Sequence, residues 1–495
     1  MKLIELTAAA GTSGPVVEAP SGNPEISGIT ADSRRAEPGF LFAALLGTSR
    51  DGRAFAGEAI ARGAAAILTD DAAALDLDAE TRRRVALVID PNPQRRLALL
   101  AARFYGRQPH TIVAVTGTNG KTSVAHFARE IWTALGHKAA SLGTLGLVSP
   151  NGWRPGALTT PDPVALHRDL ADLAGGGVEH VAIEASSHGL AQYRLDGISP
   201  AAAAFTNLTR DHLDYHGDMD AYRAAKWRLF TELLNPGGTA VLNTDSPECA
   251  GLAALCRGRG LDVIRFGQEP GSELRIVERV ARSSGQLLTV EVFGARNEID
   301  LPLVGGFQAS NVLAALGLVV ATGASPRDAV AVLSRLDGVP GRMQFVGETA
   351  SGAAVFVDYA HTPDALATVL GALRPHAERR LAVVFGAGGN RDRGKRPLMG
   401  RVATELADLV YVTDDNPRSE DPAEIRRAIL EAAPGAVEIG DRRQAIAAAI
   451  AGLGRGDVLV IAGKGHETGQ IIGAQVLPFD DAAVAREVVA AAGKQ

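Results

Sequence analysis

The segment that most narrows the fold is TIVAVTGTNGKT, Thr111 to Thr122. Its first half is a short, largely β-branched apolar run, the composition of a buried strand. Its second half is a glycine-bounded turn, and a helical pattern begins at Lys121. Val124, Phe127, Ala128, Ile131 and Leu135 recur there at helical spacing, and Gly136 ends the pattern. A strand that turns through glycines straight into a helix belongs to an α/β fold. The turn also has a chemistry. Glycine lets backbone amides wrap a phosphate chain, and the helix N-terminus adds partial positive charge. Gly117, Thr118, Asn119, Gly120 and Ser123 would form that cradle. Lys121 would reach the terminal phosphates, and the Thr122 hydroxyl could ligate Mg2+. The general phosphate-loop pattern has a further glycine five positions before Gly120. Val115 stands there, so this loop is a shortened variant. Alone it would read as a plain glycine turn; the strand before it and the helix after it favour phosphate.

The chain has 495 residues, room for about three domains at roughly 150 residues each. Gly106 and Pro109 punctuate the chain after a helical stretch, Pro93 to Tyr105, and put one boundary near Gln108. A second boundary falls near Gly338. Beyond it, apolar runs at Ala354–Val357, Leu381–Phe385, Leu409–Thr413 and Val458–Ala462 alternate with helical segments. These helices are expected at about Pro363–Leu373, Pro397–Ala407, Pro422–Ala432 and Arg443–Leu453. Such alternation predicts a mostly parallel sheet with helices on both faces, whose ligands bind at the carboxyl ends of the strands. Polar loops follow all four strands: Asp358–His361, Gly386–Arg396, Asp414–Arg418 and Gly463–Glu467. All four should therefore share one sheet edge. The expected domains are 1–108, 109–338 and 339–495. Within the second, strand Val181–Ile183 and helix Ser310–Thr322 are expected.

Composition excludes several partners. Lys and Arg total 50 against 56 Asp and Glu, a net charge of −6 with no long basic run, so nucleic acid is not expected. Two cysteines, Cys249 and Cys256, build neither a disulfide framework nor a Cys-rich metal centre, and they point to a reducing compartment. The opening MKLIELTAAAG lacks a charged start ahead of an apolar core. The clean apolar run Val312–Ala321 is too short to span a bilayer. The expectation is a soluble, cytoplasmic monomer with no membrane partner.

Three further clusters carry chemistry. Glu184-Ala-Ser-Ser-His-Gly-Leu-Ala-Gln-Tyr-Arg194 follows a strand, and a carboxylate there suits Mg2+, which takes oxygen ligands. Ser-Ser-His invites a hydrolase reading, but no G-x-S-x-G elbow accompanies it. In NLTRDHLDYH, Asn207 to His216, either Asp211 or His212 could ligate a metal, and a lone histidine is as readily structural. In the last block, GGNRDRGKR, Asp414-Asp-Asn-Pro-Arg418 and Gly463-Lys-Gly-His-Glu467 bring both signs of charge to one edge. That suits a zwitterionic substrate better than a simple anion.

Taken in order, these pieces resemble the bacterial Mur ligases, most closely the MurE type. The resemblance rests on Asp32-Ser-Arg34 with PGFLF, TGTNGKT, Thr159-Thr-Pro-Asp162, EASSHGL, DHLDYH, Ala225-Lys226, Asn311, Gly341-Arg342, Asp358-Tyr-Ala-His361, GGNRDRGKRPLMG, DDNPR and GKGHE. It implies a UDP-binding N-terminal α/β domain, a central P-loop ATPase with a parallel sheet, and a C-terminal Rossmann-like domain. It implies ATP and Mg2+ as cofactors, with Lys121 and Thr122 on the phosphates. Glu184 and His212 would ligate Mg2+, and Lys226 matches a lysine that is carbamylated in this family. A carbamate supplies oxygen ligands where a bare ammonium repels the ion. Lys121, Lys226, Glu184 and His212 are thus the implied catalytic set. Ser33 would contact the uridine nucleotide, and Asn311, Arg342 and Asp358 the adenosine part of ATP. Thr159, Thr160, Ser186, Gln192 and Arg194 would hold the muramoyl dipeptide.

MurE-type ligases add the third residue to UDP-N-acetylmuramoyl-L-alanyl-D-glutamate through an acyl phosphate. In them D-N-P-R accompanies meso-diaminopimelate, and this chain has Asp415-Asn416-Pro417-Arg418. Diaminopimelate has a distal carboxylate that lysine lacks, and an Arg fork binds a carboxylate in a bidentate way. Arg391 and Arg418 are the expected carboxylate partners and Asp415 and Glu467 the ammonium partners, with Asn416 and Gly463 lining the site. The alternatives are a lysine-adding MurE-type ligase, a folylpolyglutamate synthetase-like ligase, and an ATP-driven switch that ligates nothing.

Overall fold

The computed structural model describes residues 1–8, 15–20, 22–47 and 50–492. Ala9, Ala10 and Gly11 of the opening segment lie outside the described residues. The chain divides into two compact units, Met1–Ile264 and Arg265–Gln495.

The first unit holds two sheets. One is built from β1 (Val16–Glu18), β2 (Gly28–Thr30), β3 (Phe40–Ala43), β4 (Ala66–Thr69) and β5 (Ala86–Ile89), in the order β1-β5-β4-β3-β2. Only β1 runs antiparallel to its neighbour. Successive residues of a strand point to opposite faces, so Leu41 and Ala43 enter one apolar core and Phe42 and Ala44 another. This is why the strands read as unbroken apolar runs. The helix Pro93–Tyr105 matches its expected bounds. Asn92 caps it, Pro93 opens it, and Gly106 closes it at φ +67°.

The second sheet comprises β6 (Thr111–Thr116), β7 (Ala139–Gly143), β8 (Gly146–Ser149), β9 (Gly152–Arg154), β10 (His180–Glu184), β11 (Pro200–Phe205) and β12 (Thr239–Asn243). Their order is β12-β11-β6-β10-β7-β8-β9. The strands from β12 to β7 are parallel, and β8 and β9 extend the edge as antiparallel partners. All six residues of β6 are buried. In the following helix, Lys121–Ala134, the expected face residues Val124, Phe127, Ala128 and Ile131 are buried. Strand β10 runs one residue further than expected at each end, so Glu184 is its last residue. Cys249 and Cys256 lie on the helix Cys249–Gly258, both buried and outside any disulfide among the described residues, and burial raises the Cys256 thiol to about 11.

Strand β13 (Asp262–Gly267) carries the chain across the division. In the second unit, Phe266 and Gly267 pair with β14 (Leu274–Arg282), which continues into antiparallel β15 (Gly285–Val292) and β16 (Ala295–Leu301). A long helix follows over Gly306–Ala321, four residues ahead of its expected start, because Gly305 at φ +88° lets the chain enter it directly. His376 packs against this entry: its Nε2 accepts the Gly305 amide at 3.0 Å, and its Nδ1 meets the Arg282 carbonyl at 2.6 Å. The remaining sheet is β17 (Gln344–Glu348), β18 (Ala354–Asp358), β19 (Leu381–Phe385), β20 (Leu409–Val412), β21 (Val437–Glu438) and β22 (Val458–Ala462), ordered β17-β18-β22-β19-β20-β21. All but β17 are parallel. Helices Pro363–Leu373, Lys395–Leu406, Pro422–Leu430 and Arg442–Ala451 alternate with them, close to the expected bounds. A hairpin, β23 (Gly469–Ile472) and β24 (Gln475–Pro478), completes the described strands. Among the described residues no helix is long and apolar enough to cross a membrane.

Candidate active site

The turn after β6 opens between the carboxyl ends of β10 and β11, where parallel sheets bind ligands. Gly117 sits at φ +149°, and a Cβ there would overlap the Thr206 hydroxyl. Gly120 starts the helix in the left-handed region, φ +89°. The chain leaving β11 braces the loop. The Asn207 carbonyl accepts the Thr118 amide at 2.9 Å, and the Asn207 side chain accepts the Asn119 amide at 3.0 Å. The Thr206 hydroxyl donates to the Asn119 carbonyl at 2.6 Å. Lys121 Nζ donates to the carbonyls of Gly117 and Thr118 at 3.0 and 2.8 Å. Lys226 is buried, donates to the Gly117 carbonyl at 2.7 Å, and lies 4.4 Å from the centre of the Tyr222 ring. Burial, reinforced by Lys121, pulls its amine down to about 6. The Tyr222 hydroxyl in turn meets Thr118 Oγ1 at 3.2 Å.

Glu184 is buried beside this loop. It accepts from the Thr122 hydroxyl at 3.0 Å, the Thr144 amide at 2.7 Å and the Thr144 hydroxyl at 3.2 Å. Burial raises its carboxyl above the ordinary range, against the pull of Lys121. A Cβ on Gly143 would overlap the carboxylate, so this close approach requires glycine there. The donors Thr122 and Glu184 are hard oxygens on one side of the loop, the ligand type Mg2+ prefers. From Glu184 a hydrogen-bonded line continues through the expected dipeptide residues. Thr160 Oγ1 donates to the Glu184 carbonyl at 2.7 Å and meets Ser186 Oγ at 3.0 Å. Arg194 donates to the Thr160 carbonyl at 2.8 Å and grips Gln192 Oε1. Thr159 joins through Thr144, hydroxyl to hydroxyl, at 3.0 Å. His212 is exposed, at φ +52°, with its ring 4.8 Å from that of His188. Ser33 is buried in the first sheet's domain, donating to Glu58 at 2.8 Å.

In the second unit the four polar loops do share one edge. Lys395 Nζ reaches the His361 carbonyl at 2.8 Å, and Arg418 Nη1 reaches the Gly389 carbonyl at 2.9 Å. Asn416 Nδ2 donates to Glu467 at 2.9 Å. Asp415, Asn416 and Pro417 are buried, Arg418 is half-buried at φ +54°, and Arg391 is exposed. Gly463, at φ +118°, follows β22 beside the Asp415 carboxylate. Hairpin β23–β24 clasps this loop: the Ile471 amide donates to Asn416 Oδ1 at 2.9 Å, and Gln470 to the Asp415 carbonyl at 2.8 Å. Asp358 is buried and accepts the amides of Met343 and Ala360 at 2.7 and 2.8 Å; burial raises its carboxyl. Arg342 lies 4.9 Å from the centre of the Tyr359 ring. Asn311 is buried and donates to Gln308 at 2.9 Å.

Known proteins resemble this chain over nearly its whole length. Three family descriptions match in sequence order: "Mur ligase family, catalytic domain" over residues 25–105, "Mur ligase middle domain" over 115–319, and "Mur ligase, glutamate ligase domain" over 341–465. A relative from Caulobacter vibrioides is 55% identical over 467 residues, 93% of this chain and 95% of its own. This chain belongs to the Mur ligase family.

That relative, and another from Bradyrhizobium diazoefficiens at 54% identity over 94% of this chain and 95% of its own, are named UDP-N-acetylmuramoyl-L-alanyl-D-glutamate–2,6-diaminopimelate ligase. A solved structure of the same name aligns at TM-score 0.75 with 33% identity, covering 99% of both chains. MurF from Acinetobacter baumannii shares the fold, at TM-score 0.62 and 19% identity over 93% of this chain and 94% of its own. The structure of this Mur ligase joins Lys121, Thr122, Glu184 and Lys226 around one loop. It joins the five residues expected at the dipeptide in one network and the DNPR and GKGHE loops in another. His212 is tied to His188 and Asp211 instead, and Ser33 to Glu58. Several residues of these Mur ligase networks went unassigned in sequence. Thr206 and Asn207 brace the loop, Thr144 orients Glu184, and Tyr222 joins Lys226 to Thr118. Asn207 stands at the head of the NLTRDHLDYH motif, the one signal that could have found it. Arg442 is fully buried, holds Asp481 at 2.6 and 2.7 Å, and donates to the Ala462 carbonyl at 3.0 Å, fixing the end of β22.

Proposed function

We propose that this Mur ligase adds meso-diaminopimelate to the D-glutamate side-chain carboxylate of UDP-N-acetylmuramoyl-L-Ala-D-Glu, using ATP and releasing ADP and phosphate. The observation that carries the choice of amino acid is the DNPR loop. Its Asp415 and Asn416 are buried, and its Arg418 is held by the backbone of β23 and by Gly389. A cation fixed in this way suits a ligand with a second carboxylate. With lysine its charge would keep no carboxylate partner.

The proposed division of labour follows the domains 1–108, 109–338 and 339–495, for the uridine nucleotide, ATP and the amino acid. Ser33 contacts the uridine nucleotide. The amides from Gly117 to Ser123 and the Lys121 ammonium take the ATP phosphates, and Asn311, Arg342 and Asp358 meet the adenosine. Thr159, Thr160, Ser186, Gln192 and Arg194 orient the dipeptide so that its carboxylate oxygen attacks the γ-phosphorus. Lys121 offsets the charge that spreads over the transferring oxygens. The product is an acyl phosphate. Asp415, Glu467, Arg391 and Arg418 hold diaminopimelate while its free amine attacks the acyl carbon. Phosphate leaves from the tetrahedral intermediate, and the amide remains. Thr122 and Glu184, with His212 and a carbamate on Lys226, would hold Mg2+, which supplies charge neutralisation at the phosphates. A Lys226 amine drawn down to about 6 is neutral at pH 7, the form that adds CO2. The substrates are cell-wall precursors made in the cytoplasm, where we place the enzyme.

The test is phosphate release from ATP with the UDP-dipeptide and a panel of amino acids. Release should require both the UDP-dipeptide and diaminopimelate. Release with lysine but not diaminopimelate would overturn the choice of amino acid. Release with ATP alone would replace the ligase with an ATP-driven switch.

A further inference from the structure

We infer that Lys464, the lysine of GKGHE, is an internal counter-ion that sets which amino acid the site accepts; this rests on the reading of the DNPR and GKGHE loops as the amino-acid site. Its side chain is fully buried. Nζ donates to Asn416 Oδ1 at 3.0 Å and to Glu467 Oε2 at 3.3 Å, and lies 3.6 Å from Asp415 Oδ1. One buried cation thus touches three neighbouring members of the proposed site. Buried lysine is rare unless it is paired, and here both partners are the carboxylates assigned to the ligand's ammonium.

The arrangement at Asp415 shows what the cation does. Asp415 Oδ1 is buried and accepts no hydrogen bond among the described residues, and Lys464 is the cation within ion-pair distance of it. Arg442, also buried, forms a two-bond pair with Asp481, and it and Lys395 act on Asp415 through space, beyond ion-pair distance. Within ion-pair distance, two carboxylates and one lysine leave a single negative charge. One ligand ammonium neutralises it. Diaminopimelate in its reacting form presents one ammonium, because the attacking amine must be neutral, and it presents two carboxylates to Arg391 and Arg418. Without Lys464 the two carboxylates would keep both charges. The pocket would then favour a ligand that brings the same ammonium with one carboxylate fewer, such as lysine. Lys464 is therefore a specificity residue that need not touch the substrate.

The experiment compares Lys464→Gln and Lys464→Met with the wild type, measuring kcat and KM for diaminopimelate and for lysine. Glutamine keeps a donor toward Asn416 and removes the charge. Both variants should lose at least about tenfold in the ratio of kcat/KM for diaminopimelate over lysine, mainly through KM for diaminopimelate. KM for ATP and for the UDP-dipeptide should stay within about twofold. A general loss of structure would move all of these constants together. The double variant Lys464→Met/Glu467→Gln restores a single negative charge and should recover part of the ratio. It also carries the test if Lys464→Met does not fold. A Lys464→Gln enzyme that keeps the wild-type ratio would overturn the inference. A wild-type enzyme without diaminopimelate-dependent turnover would overturn the underlying reading instead.

Discussion

A methyl group at position 117 would overlap the Thr206 hydroxyl, on a backbone at φ +149° that L side chains rarely adopt. The same glycine supplies the carbonyl that holds both Lys121 and Lys226. Gly117→Ala should therefore weaken ATP binding by about tenfold or more, since strain of this kind is on the order of 1–3 kcal/mol. Nucleotide titration followed by calorimetry checks this; an unchanged Kd would show that the loop has slack. The glycine itself was legible in the sequence, as part of a loop between strand and helix. Its partner was not. Thr206 lies 89 positions from Gly117 in the chain, and a contact of that kind leaves no local trace. Lys464 was hidden for a different reason: charged residues are expected at the surface, so nothing in GKGHE signalled that its lysine is the buried member.

Elements announced themselves in proportion to how their burial reads along the chain. Strands covered on both faces, such as β19 and β22, are continuous apolar runs, and their bounds are those expected. Strands β14 and β16 are half-exposed. Arg275, Glu278, Arg279 and Glu298 break up any apolar run, so nothing marked the meander. Hairpin β23–β24 was silent too, because its residues are mostly exposed and its role is played by the backbone. Yet it fixes the DNPR loop: the Arg418 amide donates to the Ile471 carbonyl at 3.0 Å, and the Gly473 amide to the Arg418 carbonyl at 2.7 Å. Replacing residues 469–478 with a flexible linker should lower kcat/KM for the amino acid by on the order of 10²-fold, the usual cost of a misplaced binding group. KM for ATP should not move. A matching loss for ATP would mean that the hairpin supports the fold at large and not this loop.

Across the whole molecule, burial holds six histidines below their ordinary value, among them His188, His216 and His466. Burial lowers His167 and His376, and takes His180 down to about 4. In the unfolded chain the same rings protonate near 6.5. The unfolded state therefore binds more protons between these values, and stability falls as pH drops below about 6.5 toward 4. At neutral pH the contribution is intact. His376 makes the effect specific, because a protonated ring could not accept the Gly305 amide. The thermal midpoint should fall steadily over that window, by about 2–4 °C per kcal/mol lost. His376→Gln should lower the midpoint at pH 7 and flatten its pH slope. A midpoint independent of pH between 7 and 4 would refute the account.

The helix Cys249–Gly258 has one more consequence. Its two thiols are shielded from water, and burial keeps Cys256 far from the thiolate form that reacts. Alkylating reagents can therefore find them only in molecules whose helix has come away from the sheet. Each modified cysteine records one such opening, so the chain carries a built-in clock for how often its first unit breathes, readable without adding a probe.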